Sequence, residues 1–378
     1  MDEPIIEDVD DEDTNIAKKN KETNKETRKQ LVTQKMDIFI PSLRDMIKNE
    51  VINLSPRFQR RDRWNQNQQS KLIESIIMAV PIPPVFLAEE ELSYYSVMDG
   101  KQRLTAIEEY LEDKYVLKGL KNWADLNGKK FSQLDPEAKG AITRRMISAI
   151  VILKESNLDI KFDVFERINT GGEHLNFQEI RNCIHQGKLN DTLIELSENT
   201  FFRKCLNLPE SKEELSKIKI YQQMEDVQLV LRFFLLQDYK KMSGNLKSSL
   251  NNYMKNHKNI TENELEAHRR LFNETIEKVY GVYGNQSFRK WEPQNNLWSS
   301  RISAPFYDAV MYGFSKIDRS LIEGNKNKIL DGTKRLFEDS EFLDSIRKGT
   351  NSTEANNVRI EKFLSMLNSS VGLDESVL

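Results

Sequence analysis

Residues 94–107 bring together several groups suited to binding a phosphate and its metal ion. A short apolar and aromatic run, typical of a buried strand, ends in Asp99-Gly100, and an amphipathic helical pattern follows at once. The start of a helix carries the positive end of the helix dipole and N–H groups that can bind an anion. Asp99 can hold Mg²⁺ or a water molecule, and Arg103 can grip two phosphate oxygens with its forked guanidinium. The same residues also fit a scaffold role, in which Asp99 caps the helix and Arg103 forms a surface ion pair.

A second polar segment, residues 54–65, lies upstream and is rich in arginine. It follows a predicted short strand and precedes a helix for which Asn65 is the predicted N-cap. Two aromatic residues, Phe58 and Trp64, accompany the arginines, so the loop could face phosphates and a stacked base. The alternative is a solvated basic loop whose aromatic residues pack below it. The arginines are Arg57, Arg60, Arg61 and Arg63.

An aromatic and basic cluster occurs later in the chain. Tryptophan and arginine together are typical of contact surfaces, so Arg289 and Arg301 are candidates for contact with DNA or a partner protein. The alternative is that the tryptophans are packing anchors between helices. The members of the cluster are Arg289, Trp291, Asn295, Trp298 and Arg301.

Apolar periodicity predicts the elements that would position these residues. A helix from residue 157 is expected to end in a turn that carries Asn169, and Leu175-Asn176 is expected to open the next helix. From about residue 190 onward the pattern is mainly helical, and the run at residues 227–236 predicts a buried helix. Strands are expected at residues 36–40, 51–54, 85–88, 94–98 and 146–153, and helices at residues 42–48 and after Asn65.

Composition sets the outer limits for the function. The chain has 378 residues and a net charge of −3, so its surface as a whole does not have the basic character of a nucleic-acid binder. Cys183 and Cys205 lack the spacing of a zinc site or a disulfide framework, and the acidic start does not fit a signal peptide. We therefore expect a cytoplasmic protein. Residues 1–35 form an acidic and then polar tail that is expected to be disordered.

Several motifs occur in one order along the chain, and together they carry a resemblance to a known family. They are Phe58-Gln59-Arg60 with Trp64, Leu72-Ile73-Glu74-Ser75, Pro81-Ile82-Pro83-Pro84, Asp99-Gly100-Lys101-Gln102-Arg103, the Phe-Glu-Arg-Ile-Asn-Thr-Gly-Gly run of residues 165–172, and Leu175-Asn176 with Gln178-Glu179-Ile180-Arg181. Over about residues 36–185 the chain resembles the N-terminal domain of the GmrSD-type restriction endonucleases, a ParB/sulfiredoxin-like domain.

The resemblance implies an α+β fold in which a small ParB/sulfiredoxin-like mixed sheet with helices is followed by a mainly α-helical C-terminal domain. The expected division is a tail at residues 1–35, a nucleotide-binding domain at residues 36–185 and a helical domain at residues 186–378. No histidine lies in the arrangement of an HNH nuclease, so the chain resembles a stand-alone form whose DNA cleavage is left to another protein.

The resemblance also implies roles for particular residues. The expected cofactor is Mg²⁺ with a nucleoside triphosphate, which is ATP, GTP or CTP, and Asp99 is the expected metal ligand. Lys101 stands where the family usually has Gln, and a lysine there either adds a phosphate contact or marks a protein that binds nucleotide without hydrolysing it. The implied catalytic residues are Asp99, Gln102 and Arg103, and the implied nucleotide-binding residues are Gln59, Arg60, Gly100, Lys101 and Asn169.

Three functions remain open. The first is an NTP-hydrolysing regulator that controls a partner effector, such as a nuclease, in a bacterial restriction or anti-phage system. The second is a nucleotide-gated binding module, in which occupancy shifts the helical part between two states without hydrolysis. The third is a DNA-binding protein or ParB-like nuclease that contacts the DNA backbone through Arg57, Arg61 and Arg63. A homo-oligomer stays open under each of the three functions.

Overall fold

A computed structural model of the chain describes residues 4–7, 31–54, 64–156, 176–242 and 244–373. The chain divides into two compact units. We call Asn24–Leu175 the α/β unit, and Met1–Thr23 together with Asn176–Leu378 the helical unit. The described strands are β1 (Ile6–Glu7), β2 (Thr33–Phe39), β3 (Ile52–Asn53), β4 (Val85–Glu91), β5 (Tyr94–Asp99), β6 (Met146–Ile152), β7 (Arg289–Glu292) and β8 (Leu297–Ser303).

A five-stranded mixed sheet, in the order β2-β6-β4-β5-β3, forms the centre of the α/β unit. The pairs β2–β6 and β4–β5 are antiparallel, whereas β4–β6 and β3–β5 are parallel. Exposed and buried residues alternate along the first half of β6, which is the pattern of a strand with one face on the core. The described helices of this unit are α1 (Ile40–Lys48), α2 (Gln66–Ile77), α3 (Lys101–Leu111) and α4 (Pro136–Thr143).

Helix α2 begins at a capping box, as the sequence predicted for Asn65. The Asn65 side chain accepts a hydrogen bond from the Gln68 N–H, and the Gln68 side chain accepts one from the Asn65 N–H. These two bonds satisfy backbone donors that the helix itself leaves unpaired. The apolar side of the helix then enters the core of the α/β unit through Leu72, Ile73, Ile76 and Ile77.

The predicted strands of the α/β unit are present, with shifted ends. β4 and β5 pair antiparallel, as expected, and β4 continues to Glu91. β2 runs from Thr33 to Phe39, so it begins and ends earlier than the predicted strand at residues 36–40. Helix α1 starts at Ile40 rather than Ser42, because Pro41 lies in the first turn, where proline is favourable.

The prediction of a disordered tail at residues 1–35 is wrong for Ile6 and Glu7, which form β1, and for the residues from Thr33 onward, which belong to β2. Ile6 is only 8% exposed and lies in the apolar core of the helical unit. The sequence analysis missed this apolar anchor because acidic residues surround it in the first part of the segment. Residues 8–30 lie outside the described part of the chain.

The helical unit contains the small sheet β1-β8-β7 and a large apolar core. Residues 226–236 are all buried, which confirms the buried helix predicted at residues 227–236. The described helices of this unit are α5 (Phe177–Ile184), α6 (Lys188–Ser197), α7 (Thr200–Cys205), α8 (Lys212–Leu215), α9 (Lys219–Gln222), α10 (Glu225–Leu236), α11 (Leu246–Asn256), α12 (Glu262–Tyr283), α13 (Ala304–Lys316), α14 (Arg319–Gly324), α15 (Lys326–Leu336), α16 (Ser340–Ser345) and α17 (Thr353–Val371).

The expected α+β class with a helical C-terminal part is therefore confirmed, while the finer ParB/sulfiredoxin-like likeness stays a prediction. Helix α5 is counted with the helical unit, although the sequence analysis placed it before a boundary at residue 185. Its contacts explain this, because the Arg181 Nε donates to the Asn251 Oδ1 (2.7 Å) and the Asn176 amide donates to the Gln223 carbonyl (2.6 Å). Across the described segments, no helix combines the length and apolarity needed to cross a bilayer.

One buried carboxylate in the helical unit serves two buried guanidinium groups. Asp308 on α13 lies 2.6 Å from the Arg232 Nη2 and 2.8 Å from the Arg359 Nη2, and all three side chains are fully buried. Arg359 also donates to the carbonyls of Ser345 and Thr350. Because buried charges are costly unless paired, Asp308 ties α10, α13 and α17 together.

Candidate functional site

The junction between β5 and α3 carries the residues singled out by the sequence. Val97 and Met98 are buried in β5, Asp99 ends the strand, and α3 begins at Lys101. Gly100 is the N-cap residue of α3 and has a φ of +93°, a left-handed conformation that glycine adopts without strain. The predicted strand–Asp-Gly–helix junction is therefore present.

Gly100 is also required for a steric reason. A Cβ atom placed at this position would lie 2.5 Å from the Val85 Cγ1 and 3.2 Å from the Arg103 Nη2. Val85 is fully buried at the start of β4, and its neighbour Phe86 pairs with Asp99. Any larger residue would therefore push β4 away from the junction.

Asp99 and Arg103 form an ion pair one turn apart. The Arg103 Nη2 lies 2.5 Å from the Asp99 Oδ2. The Arg103 Nη1 donates to the carbonyl oxygen of Pro83 and, at 3.3 Å, to that of Pro84. The Arg103 side chain is 14% exposed, whereas that of Asp99 is 44% exposed. Arg103 thus links the start of α3 to the segment that leads into β4.

Burial and the neighbouring Asp99 shift the pKa of Arg103 in opposite directions. Burial lowers the pKa of the guanidinium, while the charge of Asp99 and its hydrogen bond raise it, and the net direction is downward. Because an arginine begins from a very high pKa, the side chain remains a cation at neutral pH. The junction therefore holds one carboxylate and one guanidinium at the positive end of α3.

Gln102 connects the junction to the upstream arginine-rich loop. The Trp64 backbone N–H donates to the Gln102 Oε1 at 3.1 Å. Trp64 belongs to the described end of this segment and precedes the Asn65 cap of α2, so residue 64 lies next to the first turn of α3.

Several predicted site residues lie outside the described part of the chain, so their positions stay predictions. The described junction contains Asp99, Gly100, Lys101, Gln102 and Arg103. Those outside are Arg57, Gln59, Arg60, Arg61, Arg63 and Asn169.

The structure adds participants that the sequence analysis missed. The carbonyls of Pro83 and Pro84 bind Arg103, and the Trp64 N–H binds Gln102. A signal for the prolines was present, because an antiparallel β4–β5 hairpin must bring the residues before Val85 past the end of β5 at Asp99. The sequence gives no comparable signal for the Trp64 contact.

The aromatic and basic cluster lies in the helical unit, and its two arginines differ in exposure. Arg289 is buried, and its Nη1 donates to the carbonyls of Cys205 (3.1 Å) and Ser287 (2.9 Å), so it supports the backbone of the interior. Arg301 is exposed and lies 3.1 Å from the Glu7 carboxylate. Trp291 and Trp298 pack edge to face, 5.2 Å apart, which fits the packing-anchor alternative.

The described residues hold no group of three or more His, Cys, Asp or Glu side chains with the geometry of a metal site. The junction supplies one half-exposed carboxylate, Asp99. This suits Mg²⁺ bound in the company of phosphate oxygens and water, because such ions take only one or two protein carboxylates. It does not suit a zinc ion held by protein ligands alone.

Comparison with known proteins identifies the α/β part of the chain. Residues 40–186 match the family model described as the GmrSD restriction endonuclease, N-terminal domain. No curated protein and no solved structure matches the chain. The matched segment covers the β5–α3 junction, α2 and the Pro83-Pro84 segment, and it confirms the resemblance stated from the motifs. Over residues 40–186, which is less than half of the chain, the protein is therefore similar to the N-terminal domain of the GmrSD restriction endonucleases.

Proposed function

We propose that the α/β unit binds a nucleoside triphosphate with Mg²⁺ at the β5–α3 junction. In this proposal the chain is a regulatory protein of a DNA restriction or anti-phage system, and nucleotide occupancy controls a partner effector. The observation that carries the proposal is the hydrogen bond between the Trp64 N–H and the Gln102 side chain, because it brings the end of the arginine-rich loop to the helix start that follows Asp99.

Each group at the junction has a role in this proposal. Asp99 would hold Mg²⁺, and the positive end of α3 would face the phosphates next to Gly100. Arg103 and, from the loop, Arg60 would bind phosphate oxygens. The metal ion would neutralise part of the negative charge on a transferring phosphoryl group, and the cationic side chains would neutralise a further part of it. Lys101 would add a further positive charge.

Binding without hydrolysis is the second candidate, and a specific contact favours it. In the described conformation Arg103 is held by Asp99 and by two backbone carbonyls. A triphosphate must compete with those partners, so occupancy would shift the segment before β4 even if no phosphate were released. This is sufficient for a nucleotide-gated module, since a ligand changes a conformational equilibrium by its difference in affinity for the two states.

The first experiment measures nucleotide binding by titration calorimetry with ATP, GTP and CTP, with and without Mg²⁺. Asp99→Asn and Arg103→Ala are expected to weaken binding by tenfold or more. Arg44→Ala is the matched control, because Arg44 lies in the same unit and pairs only with its exposed neighbour Asp45 in the described contacts. Thermal unfolding of each variant shows whether the α/β unit has remained folded.

Equal nucleotide affinity of the wild type, Asp99→Asn and Arg103→Ala would remove the proposed site. If all three bind and release phosphate at the same rate, the nucleotide must bind elsewhere. Release of phosphate by the wild type and its loss in Asp99→Asn would favour the hydrolysing regulator, whereas tight binding without release would favour the gated module.

A further inference from the structure

The first strand of the chain occupies the edge of the hairpin formed by β7 and β8. β1 pairs parallel with β8, with Ile6 opposite Ile302 and Glu7 opposite Ser303. The Ile302 N–H donates to the Ile5 carbonyl at 2.9 Å. Only two residues form the strand, and Ile6 is its buried anchor. Backbone pairing with one or two anchoring side chains is the geometry by which sheet edges bind extended peptides.

Two cations hold the carboxylate that follows this anchor. The Lys290 Nζ lies 2.9 Å from one oxygen of Glu7, and the Arg301 Nη1 lies 3.1 Å from the other. Burial raises the pKa of Glu7, but its hydrogen bonds to Lys290 and Arg301 and their charges lower the pKa to below its ordinary value. The position therefore prefers an ionised carboxylate directly after an apolar residue.

An open groove lies beside β8 and β1, and the segment that carries β1 forms part of its wall. It has a volume of about 1400 Å³, and Pro4 and Glu7 form only part of its lining. Other parts of its wall come from Lys204 at the end of α7, from Leu208 and from Ile218. The wall also carries the carboxylates of Glu214 and Glu292, so a segment longer than residues 4–7 would meet apolar surface and charges of both signs in the groove.

We propose that the β8 edge and this groove are a docking site for an extended acidic peptide of a partner protein. The chain's own residues 4–7 act as a built-in competitor for the same site. The occupant is identified by charge complementarity, since Lys290 and Arg301 both pair with a carboxylate that directly follows a buried apolar anchor. The same segment of a second copy of this chain would compete less well than the chain's own segment, because the latter acts at an effective concentration of about 1 mM.

The test uses the full chain and a fluorescein-labelled peptide with the sequence of residues 2–13. In the variant Ile6→Asp/Glu7→Lys, the built-in strand loses its anchor and its carboxylate, so the groove becomes available. The peptide is expected to bind this variant about tenfold or more tightly than the wild type, given an internal competitor at about 1 mM and a peptide Kd of about 0.1 mM or less.

Charge reversal in the same background tests which residues hold the peptide. Adding Lys290→Glu and Arg301→Glu is expected to weaken binding at least tenfold, and a peptide with Lys in place of Glu7 is expected to recover it, which also shows that the variant is folded. A scrambled peptide of equal composition is the control for general electrostatic attraction. The proposal is overturned if the scrambled peptide binds equally well, if opening the strand does not improve binding, or if charge reversal has no effect.

Discussion

Replacing Gly100 with alanine should destabilise the α/β unit through two separate costs. The backbone at residue 100 has a φ of +93°, and a left-handed conformation costs a residue with a Cβ about 1–2 kcal/mol. The new methyl group would lie 2.5 Å from the Val85 Cγ1, and overpacking of this kind costs about 1–3 kcal/mol. Val85 cannot yield easily, because it is buried and its strand is paired on both sides. The expected loss in the free energy of unfolding is therefore about 2–5 kcal/mol.

Gly128→Ala separates the two costs. Gly128 lies in the same unit and has a φ of +83°, but a Cβ there would have no atom within 4 Å. Its substitution should cost only the conformational part, about 1–2 kcal/mol. Urea unfolding is followed by the fluorescence of Trp64 and Trp123, both in the α/β unit, in a background in which Trp291 and Trp298 of the helical unit are replaced by phenylalanine, and it gives the two free energies under identical conditions. Equal losses in Gly100→Ala and Gly128→Ala would show that the close approach of β4 to the junction is not maintained in solution.

Two further predictions concern the interior of the helical unit. Asp308→Asn removes the carboxylate shared by two fully buried arginines, so the free energy of unfolding should fall by about 3–5 kcal/mol. A loss below about 1 kcal/mol in urea unfolding would mean that these guanidinium groups do not depend on Asp308. Burial raises the pKa of the Cys205 thiol to about 12, so it should stay protonated and unreactive toward iodoacetamide at pH 8 until the protein is unfolded. Peptide mapping by mass spectrometry gives the rate, and fast alkylation of Cys205 in the native protein would contradict the described packing.

Those parts of the fold that depend on local pattern could be predicted from the sequence. The Asn65 cap, the hairpin of β4 and β5 and the buried helix at residues 226–236 each follow from neighbouring residues, through turn chemistry, alternation or an unbroken apolar run. The strand–Asp99-Gly100–helix junction belongs to the same class. The conformational freedom of Gly100 could be predicted from the Asp-Gly sequence. Its close approach to Val85 could not, because that contact exists only in the folded structure.

Features that depend on distant residues were not predictable in the same way. β1 forms through contacts with residues almost 300 positions further along the chain. Ile6 packs into the core of the helical unit, and Glu7 pairs with Lys290 and Arg301. The three partners of Arg103 were also undetermined, because a guanidinium binds carboxylates, carbonyls and phosphates with the same fork of donors. The choice depends on where the Pro83-Pro84 backbone passes, and side-chain identity at residue 103 does not reveal it.

In the proposed nucleotide site, the Asp99–Arg103 pair should couple nucleotide binding to metal binding. A triphosphate that draws the guanidinium away from Asp99 leaves a carboxylate without its cation, and Mg²⁺ carried by the phosphates is the ion that would replace it. Mg²⁺ alone meets a carboxylate that Arg103 already neutralises at 2.5 Å, while a triphosphate alone must separate that pair. Each ligand thus favours the state that the other requires, and such coupling is reciprocal. In Arg103→Ala no guanidinium competes with Mg²⁺ for Asp99, so Mg²⁺ by itself should bind more tightly to this variant than to the wild type. Unchanged Mg²⁺ affinity would show that Asp99 is not its ligand.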